Sequence, residues 1–288
     1  MKLRAFVFTT GLMLFATMLT FGQGGGGQRG QRGRPPARPA PRDANGRATL
    51  SPLPGEVGVW LPGAGGAERL VDPAPGEPDQ FPIPAPARFP GKLDTSQVPF
   101  QPWAKALHAY RRENQFEPHT RCKPSGGTRQ FLTPYGVEFV ENPVEKRVFI
   151  FDIGGPHTFR TIFMDGRPHP KELVPSYYGH SIGHWESDTL VVDTVGFNES
   201  FWLDRYGFPT TDKLHLSERF TRTDSDTIKY EVTIDDPGAY TAPWTTGFFL
   251  FMQSGVELFE YICQENNFAS TLMIGAQESV DRTSQIVP

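Results

Sequence analysis

The sequence predicts a mostly β protein. An antiparallel meander is expected to form a calycin- or lipocalin-like barrel, or a strongly curled sheet, preceded by one short helix. The main observation is a run of segments after residue 146 that alternate apolar and polar residues or run apolar, with Gly, Pro, Asp and Ser turn signals between them. Around eight strands in roughly 150 residues suit a barrel that holds one small ligand, with a β-sandwich as the alternative.

The elements follow in chain order. A helix is expected from Trp103 to Asn114, because Pro102 stands directly before it and proline favours the first position of a helix. The expected strands are Arg147 to Ile153, Phe159 to Asp165, Tyr177 to Trp185, Thr189 to Val195, Leu214 to Thr221, Thr227 to Asp235, Phe248 to Met252 and Val256 to Gln264.

The N-terminal part of the chain reads as targeting and linker sequence. Lys2 and Arg4 precede a mostly apolar run, as in a signal peptide, here residues 1–22. Residues 23–46 are a Gly/Arg/Pro-rich linker expected to be disordered, and residues 47–101 are a Pro-rich segment, either disordered or an extended strap over the domain. Residues 102–288 are then the β-barrel-like domain. The protein is expected to be exported, to the periplasm or outside the cell, with no membrane span after signal cleavage.

Charge and motif content exclude several classes of function. The chain of 288 residues has a formal net charge of -4, and only its Gly/Arg/Pro-rich linker is basic. Arg-Gly segments can bind RNA, but a flexible spacer is the preferred interpretation, so a nucleic-acid partner is not expected. The sequence contains no Gly-rich phosphate loop, no Gly-x-Ser-x-Gly elbow and no dinucleotide fingerprint. Nucleotide enzymes and common serine hydrolases are therefore disfavoured, and no cofactor is expected.

The two cysteines, Cys122 and Cys263, are expected to form a disulfide, since an exported chain with one pair favours the oxidised form. The cross-link would close most of the domain and stabilise it by roughly 3–5 kcal/mol on the chain-entropy model.

Residues 179–198 read as a β-hairpin that carries two histidines and two spare carboxylates. A two-residue loop fits at Glu186-Ser187 or at Ser187-Asp188. Because directly opposed residues share a face, either register places five residues on one face: His180, Ile182, His184, Val191 and Asp193.

Two interpretations of that face remain open. It is either a solvated outer face, or the interior of the barrel, where Asp193 orients His180 as a general base. His184 and His169 are the candidates for the complementary acid. A zinc site is disfavoured, because residues four apart on a strand are separated by roughly 13 Å, so no metal is expected.

Four more residues are candidate ligand-binding groups. Arg160 and Arg167 flank the turn that carries His169, although Asp165 and Arg167 can equally close that turn by hydrogen bonds. Tyr240 and Trp244 follow a strand and can stack on a sugar or another flat ligand, or cap the core.

Several motifs resemble those of an uncharacterised family of exported bacterial proteins. They are Asp165-Gly166-Arg167-Pro168-His169-Pro170, the block Gly179 to Asn198, Leu203-Asp204, Leu214-His215 with Glu218-Arg219, and Thr233 to Pro237 with Tyr240-Thr241 and Pro243-Trp244. The resemblance covers roughly Pro102 to Phe268, implies export, and brings no substrate with it.

Two functions are weighed for the exported protein. The first is an acid–base enzyme, a lyase, isomerase or hydrolase, that acts on a carbohydrate or an apolar metabolite through its His/Asp pair. The second is a non-catalytic, lipocalin-like protein that binds a small ligand in an aromatic cavity.

Overall fold

Nine strands and one α-helix make up the regular structure of the computed structural model, which describes residues 37–53, 55–63, 68–77, 89–153 and 158–263. The elements are β1 (Gly58–Pro62), α1 (Pro102–Asn114), β2 (Val137–Asn142), β3 (Arg147–Asp152), β4 (Phe159–Phe163), β5 (His180–Glu186), β6 (Thr189–Val195), β7 (His215–Asp224), β8 (Thr227–Asp235) and β9 (Trp244–Ser254). Short 3-10 turns lie at Thr95–Gln97, Pro118–Arg121 and Gly127–Leu132. The predicted fold class is confirmed.

The strands form a closed barrel in chain order, β1 to β9. β1 closes it by pairing antiparallel with β9, from Gly58 opposite Ser254 to Pro62 opposite Leu250. Neighbouring strands are antiparallel except β4 and β5, which are parallel. The barrel is therefore not a pure meander. A parallel pair needs a crossover connection, and residues 164–179 supply it.

The sequence placed most elements correctly and missed two strands. The helix and the segments around β3 to β9 are confirmed, and β6 and β8 have the predicted bounds. β1 was missed because prolines surround it, so the barrel does not start at residue 102 but draws a strand from the segment 47–101. β2 was also missed. The predicted strand Val256 to Gln264 is wrong over its described part, residues 256–263, because β1 already occupies the free edge of β9.

Side chains fill the described interior of the barrel. The 3-10 turn Gly127–Leu132 is buried throughout and inserts Phe131 among the strands. The ring centre of Phe131 lies 4.9 Å from that of Tyr230 and 5.3 Å from that of Phe220, which also contacts Phe139 at 5.4 Å. Aromatic contacts at these separations stabilise a core beyond the area that they bury.

The disulfide between Cys122 and Cys263 is confirmed, with the two Cα atoms 5.5 Å apart and a separation of 141 positions in sequence. Cys122 has a φ of 60°, the left-handed conformation, as the residue that ends the Pro118–Arg121 turn. After β9 the chain runs back to Cys122. On the way Tyr261 contacts Tyr135, with 5.6 Å between ring centres.

Part of the segment before the helix is an ordered strap on the barrel. Arg42 donates two hydrogen bonds to Asp188, at 2.9 and 2.8 Å, and the amide of Ala48 donates a third at 3.0 Å. Trp60 Nε1 donates to the carbonyl of Leu50 at 3.0 Å. The predicted signal peptide, most of the predicted linker and residues 78–88 lie outside the described residues. Over the described part of the chain, no helix has the length and apolar character needed to span a membrane.

Candidate active site on the outer face of the barrel

The β5–β6 hairpin has a two-residue loop at Ser187-Asp188, so His184 opposes Val191 and Ile182 opposes Asp193. Ser187 adopts the left-handed conformation at this turn, with φ 55°. The predicted division of faces is confirmed. Of the two interpretations of the His180/Asp193 face, the outer face is the one that the structure shows: Leu190 and Val192, on the opposite face, are buried in the core. The alternative of a His180/Asp193 base inside the barrel is wrong. The more apolar face turned inward because its burial removes more apolar surface from water.

Four residues from three strands and one loop meet on this outer face. His180 is the first residue of β5, Asp193 lies on β6 and His215 is the first residue of β7. The crossover after β4 brings His169 over them, as expected for a connection that must return to the start of a parallel neighbour. Gly179 allows β5 to start close to β6, since a Cβ atom there would lie 2.5 Å from the carbonyl oxygen of Val195. We call these four residues the outer-face cluster.

A continuous chain of hydrogen bonds joins the outer-face cluster. The Nδ1 atoms of His169 and His180 are 2.8 Å apart. Nε2 of His169 lies 2.7 Å from one oxygen of Asp193, and Nε2 of His215 lies 2.6 Å from the other. Asp193 therefore contacts His169 and His215 directly, and its link to His180 runs through His169. The predicted His180–Asp193 partnership is indirect.

This chain fixes the tautomers of the neutral rings. An ionised carboxylate only accepts hydrogen bonds, so His169 and His215 donate to Asp193 from Nε2. A neutral His169 then has its lone pair on Nδ1 and accepts from Nδ1–H of His180. The lone pair of His180 is consequently on Nε2, the atom that the chain leaves available for a proton.

The charges around the outer-face cluster favour an ionised Asp193 and a neutral His180. Burial raises the pKa of the Asp193 carboxyl, but hydrogen bonds from His215 and His169 outweigh it and hold that pKa below its usual value. Burial lowers the pKa of His180, and the neighbouring charges of His169 and Arg167 lower it further. The His180 ring also stacks on Phe163, with 5.1 Å between ring centres.

The other predicted catalytic residue, His184, is not part of the outer-face cluster. Its side chain is 64% exposed, and Nε2 lies 3.2 Å from a carboxylate oxygen of Glu186. Arg167 closes its own turn, as the alternative interpretation has it: Nε donates to both oxygens of Asp165 at 2.9 Å. Its guanidinium also lies 4.2 Å from the ring centre of Phe163, beside His180.

Arg160 lies inside the barrel and is not available to a ligand on the surface. It is 2% exposed and forms a two-armed ion pair with Glu218, which is fully buried. Ser181 and Thr194 accept two further hydrogen bonds from its guanidinium, at 2.9 and 2.7 Å. The prediction that Arg160 binds a ligand is therefore corrected to a structural role in the core.

Tyr240 and Trp244 cap the core, the second of the two interpretations given to them. They are 1% and 5% exposed, and their ring centres are 5.4 Å apart. Tyr240 donates from its hydroxyl to the carbonyl of Pro209 at 2.9 Å. Neither ring is available to stack on a ligand, so this predicted role is wrong.

A second group of polar residues surrounds a cleft of about 360 Å³ between α1, residues 69–77 and residues 204–208. None of its residues was nominated from the sequence. The available signals were the Leu203-Asp204 motif for this group and the Leu214-His215 motif for His215 of the outer-face cluster. The sequence assigns no role to either motif, since only the fold shows which groups their residues face.

Asp204 is the most strongly perturbed acid of this cleft. It is 1% exposed, and burial raises its pKa to about 7, although backbone hydrogen bonds from Tyr206 and Phe208 act in the opposite direction. Oδ1 accepts from the amide of Tyr206 at 2.8 Å, and Oδ2 has no hydrogen-bond partner within the described residues. Folding therefore favours the protonated form of Asp204.

Replacing Asp204 by Asn is expected to change how stability depends on pH. Below pH 4 the acid is protonated in both the folded and unfolded states. From there to about pH 7 only the folded state retains the proton, so the parent loses stability as the pH rises. Asn mimics the protonated acid, so the variant should gain roughly 4 kcal/mol on the parent between pH 4 and pH 8. Urea unfolding at both pH values measures this, and an unchanged difference between the two proteins would contradict the proposed protonation of Asp204.

Neither metal binding nor similarity to known proteins assigns a function to the outer-face cluster or the cleft. Among the described residues, no three or more His, Cys, Asp or Glu side chains are grouped so that they could hold a metal ion. The chain matches no protein-family model, no curated protein and no solved structure.

Proposed function

We propose that the protein is an exported acid–base enzyme whose general base is His180 of the outer-face cluster. The observation that carries the proposal is the hydrogen-bond chain from His180 through His169 to Asp193. A base needs a free lone pair, a fixed tautomer and a partner that stabilises its protonated form. The hydrogen-bond chain fixes the tautomer of His180 and leaves the lone pair on its Nε2 free. It also links His180 through His169 to the carboxylate of Asp193, which stabilises the protonated ring.

The chemistry would run along this chain. Nε2 of His180 takes a proton from the substrate, which leaves a positive charge on the ring. Nδ1–H of His180 then donates more strongly to His169, and Asp193 offsets the developing charge through that ring. The hydrogen bond from His215 keeps Asp193 in place. In this scheme His180 is the catalytic residue, and His169, Asp193 and His215 are positioning residues.

The composition and exposure of the outer-face cluster favour some classes of reaction and substrate over others. Glycoside hydrolysis typically uses two carboxyl groups across the scissile bond, whereas this cluster has one, Asp193, which already accepts two hydrogen bonds. Proton abstraction by a lyase or isomerase fits better than hydrolysis. The side chain of Asp193 is 41% exposed on an open strand face, which suits an extended substrate, so we favour a carbohydrate chain over an apolar metabolite.

The His180→Asn variant is expected to lose activity by about 10²–10⁴-fold, the usual contribution of a positioned base. Parent and variant are incubated with a panel of neutral and acidic polysaccharides and oligosaccharides, and products are followed by mass spectrometry. A product formed by the parent and not by the variant supports the assignment.

His184→Asn is the matched control, because His184 lies on the same strand face and is paired with Glu186 outside the outer-face cluster. It should retain the parent activity. The positioning role of His169 has a separate signature. In the parent, the lowered pKa of His180 places the fall in activity at a pH below the usual pKa of histidine. His169→Asn breaks the hydrogen-bonded link between His180 and Asp193, so kcat should fall while KM for the same substrate changes little. Equal activity of parent and His180→Asn on the same substrate would exclude this site.

The alternative is a non-catalytic protein that binds a ligand inside the barrel. The filled interior around Phe131, with the Arg160–Glu218 pair beside it, argues against that version of the binding hypothesis. Export and membership of the exported bacterial family belong to the same proposal. Export is supported by the disulfide, since disulfides persist mainly in oxidising compartments.

A further inference from the structure

The cleft beside α1 has the size and chemistry of a binding site and shares no residue with the outer-face cluster. Its volume of about 360 Å³ lies in the range of small-molecule sites. One wall is the face of α1 that carries His108 and Arg111, and the opposite wall is the segment from Asp204 to Phe208.

Three residues that line this cleft each carry a buried polar atom without a partner. Nε2 of His108, Nε of Arg111 and Oδ2 of Asp204 have no hydrogen-bond partner within the described residues. His108 and Asp204 are only 5% and 1% exposed. Proteins leave few buried polar groups unpaired, because each loses its bonds to water without compensation. Their convergence on one cavity indicates that a ligand supplies the missing partners.

The charge in the cleft indicates an anion. Arg112 lies 3.1 Å from Glu77, and Glu117 is held by Arg129 at 2.6 Å, so these charges are matched. Arg111 has no carboxylate within ion-pair distance among the described residues. It contacts the Trp202 ring at 4.9 Å and, at 3.5 Å, the carbonyl of Gly207. A half-buried guanidinium without a counter-charge is the group that a ligand carboxylate would pair with.

The lining also contains apolar side chains, beside further charged residues, Arg69, Asp72 and Arg205. Phe208 and Val71 are buried, and the Phe208 ring lies tilted against that of His108 with 4.5 Å between ring centres. Phe116 is 60% exposed on the lining of the cleft. An exposed phenylalanine beside a half-buried cation is suited to a ligand with an apolar body and one charged end.

We propose that this cleft binds a small monocarboxylate with an aromatic or apolar body, whose carboxylate accepts hydrogen bonds from Arg111 and His108. The body of the ligand packs against Phe116 and Phe208. Asp204, when protonated, donates a further hydrogen bond from Oδ2. The site does not depend on the acid–base proposal, because no residue of the outer-face cluster takes part.

Calorimetric titration of the full mature chain with benzoate tests the proposal, with benzamide as the neutral analogue and inorganic phosphate as the bare anion. We expect benzoate to bind. The affinity for benzamide should be lower by about tenfold or more, because the charge-assisted hydrogen bonds to Arg111 are lost. Arg111→Gln should weaken benzoate binding by about tenfold or more. The control Arg38→Gln removes an exposed arginine distant in sequence and should bind benzoate as the parent does. So should His180→Asn, which separates this site from the proposed enzyme site.

Asp204→Asn gives a second readout if Arg111→Gln does not fold. Ionised Asp204 repels the ligand, so benzoate binding to the parent should weaken as the pH rises through about 7, and binding to Asp204→Asn should not. The proposal is overturned if benzoate and benzamide bind equally, if benzoate does not bind, or if Arg111→Gln folds and binds benzoate as tightly as the parent. Binding of phosphate without benzoate would reduce the cleft to a bare anion site and would also overturn it.

Discussion

The Glu218→Leu variant is expected to be about 3–5 kcal/mol less stable than the parent, because it leaves the charge of Arg160 buried without a partner. The pair lies inside the barrel, with the arginine side chain 2% exposed and the glutamate fully buried. Glu218 also accepts a hydrogen bond from the hydroxyl of Tyr230 at 2.9 Å. Urea unfolding at neutral pH gives the free-energy difference.

The double variant Arg160→Met/Glu218→Leu separates two contributions to stability: the net free energy of the intact ion pair, and the cost of leaving one of its charges buried alone. Replacing both ions by apolar side chains removes the unpaired charge, so the double variant should recover most of the stability that Glu218→Leu loses. Glu186→Leu is the surface control, since Glu186 pairs with Arg219 in water-exposed positions, and it should change stability little. A double variant as unstable as Glu218→Leu would contradict this, because the loss would then come from the favourable energy of the intact pair and not from the unpaired charge.

The barrel was predictable because its strands carry a local signal. The segments of β6 and β8 alternate, and their turns have the Asp and Ser residues that turns require, so their bounds followed from the sequence. β1 has no such signal: five residues among prolines form a strand only because β9 offers them an unpaired edge. The same closure leaves residues 256–263 without a neighbouring strand to pair with, although their pattern predicts a strand. Pairing across the whole barrel decided both cases.

Three of the four members of the outer-face cluster were predictable from the sequence, but the contacts among them were not. Strand period alone placed His180 and Asp193 on one face, as the hairpin register confirms. Which face turned inward depended on the rest of the core, and the position of His169 depended on the parallel step between β4 and β5. His215 joined through β7, which no local pattern related to the hairpin. The cleft beside α1 could not be predicted from the sequence, because the segments that line it are far apart along the chain.

Removing the disulfide by the double change Cys122→Ser/Cys263→Ser is expected to lower the free energy of unfolding by about 5 kcal/mol. The reason is the large span: a cross-link over 141 residues restricts the unfolded chain far more than the folded one, by roughly 5 kcal/mol on the chain-entropy model. Urea unfolding compares the oxidised parent, the reduced parent and the double variant. The reduced parent and the variant should coincide, which isolates the cross-link from the change of side chain.

The barrel itself should survive this loss. Its closure depends on the pairing of β1 with β9, and residues 256–263, which lead to Cys263, contribute no strand. The double variant should therefore retain the far-ultraviolet circular dichroism of the parent while its residues 256–263 exchange amide hydrogens faster. Equal unfolding midpoints for oxidised and reduced parent would contradict the stabilising role of the cross-link. Loss of the β spectrum in the variant would instead mean that the barrel cannot hold β1 against β9 without the tether that follows β9.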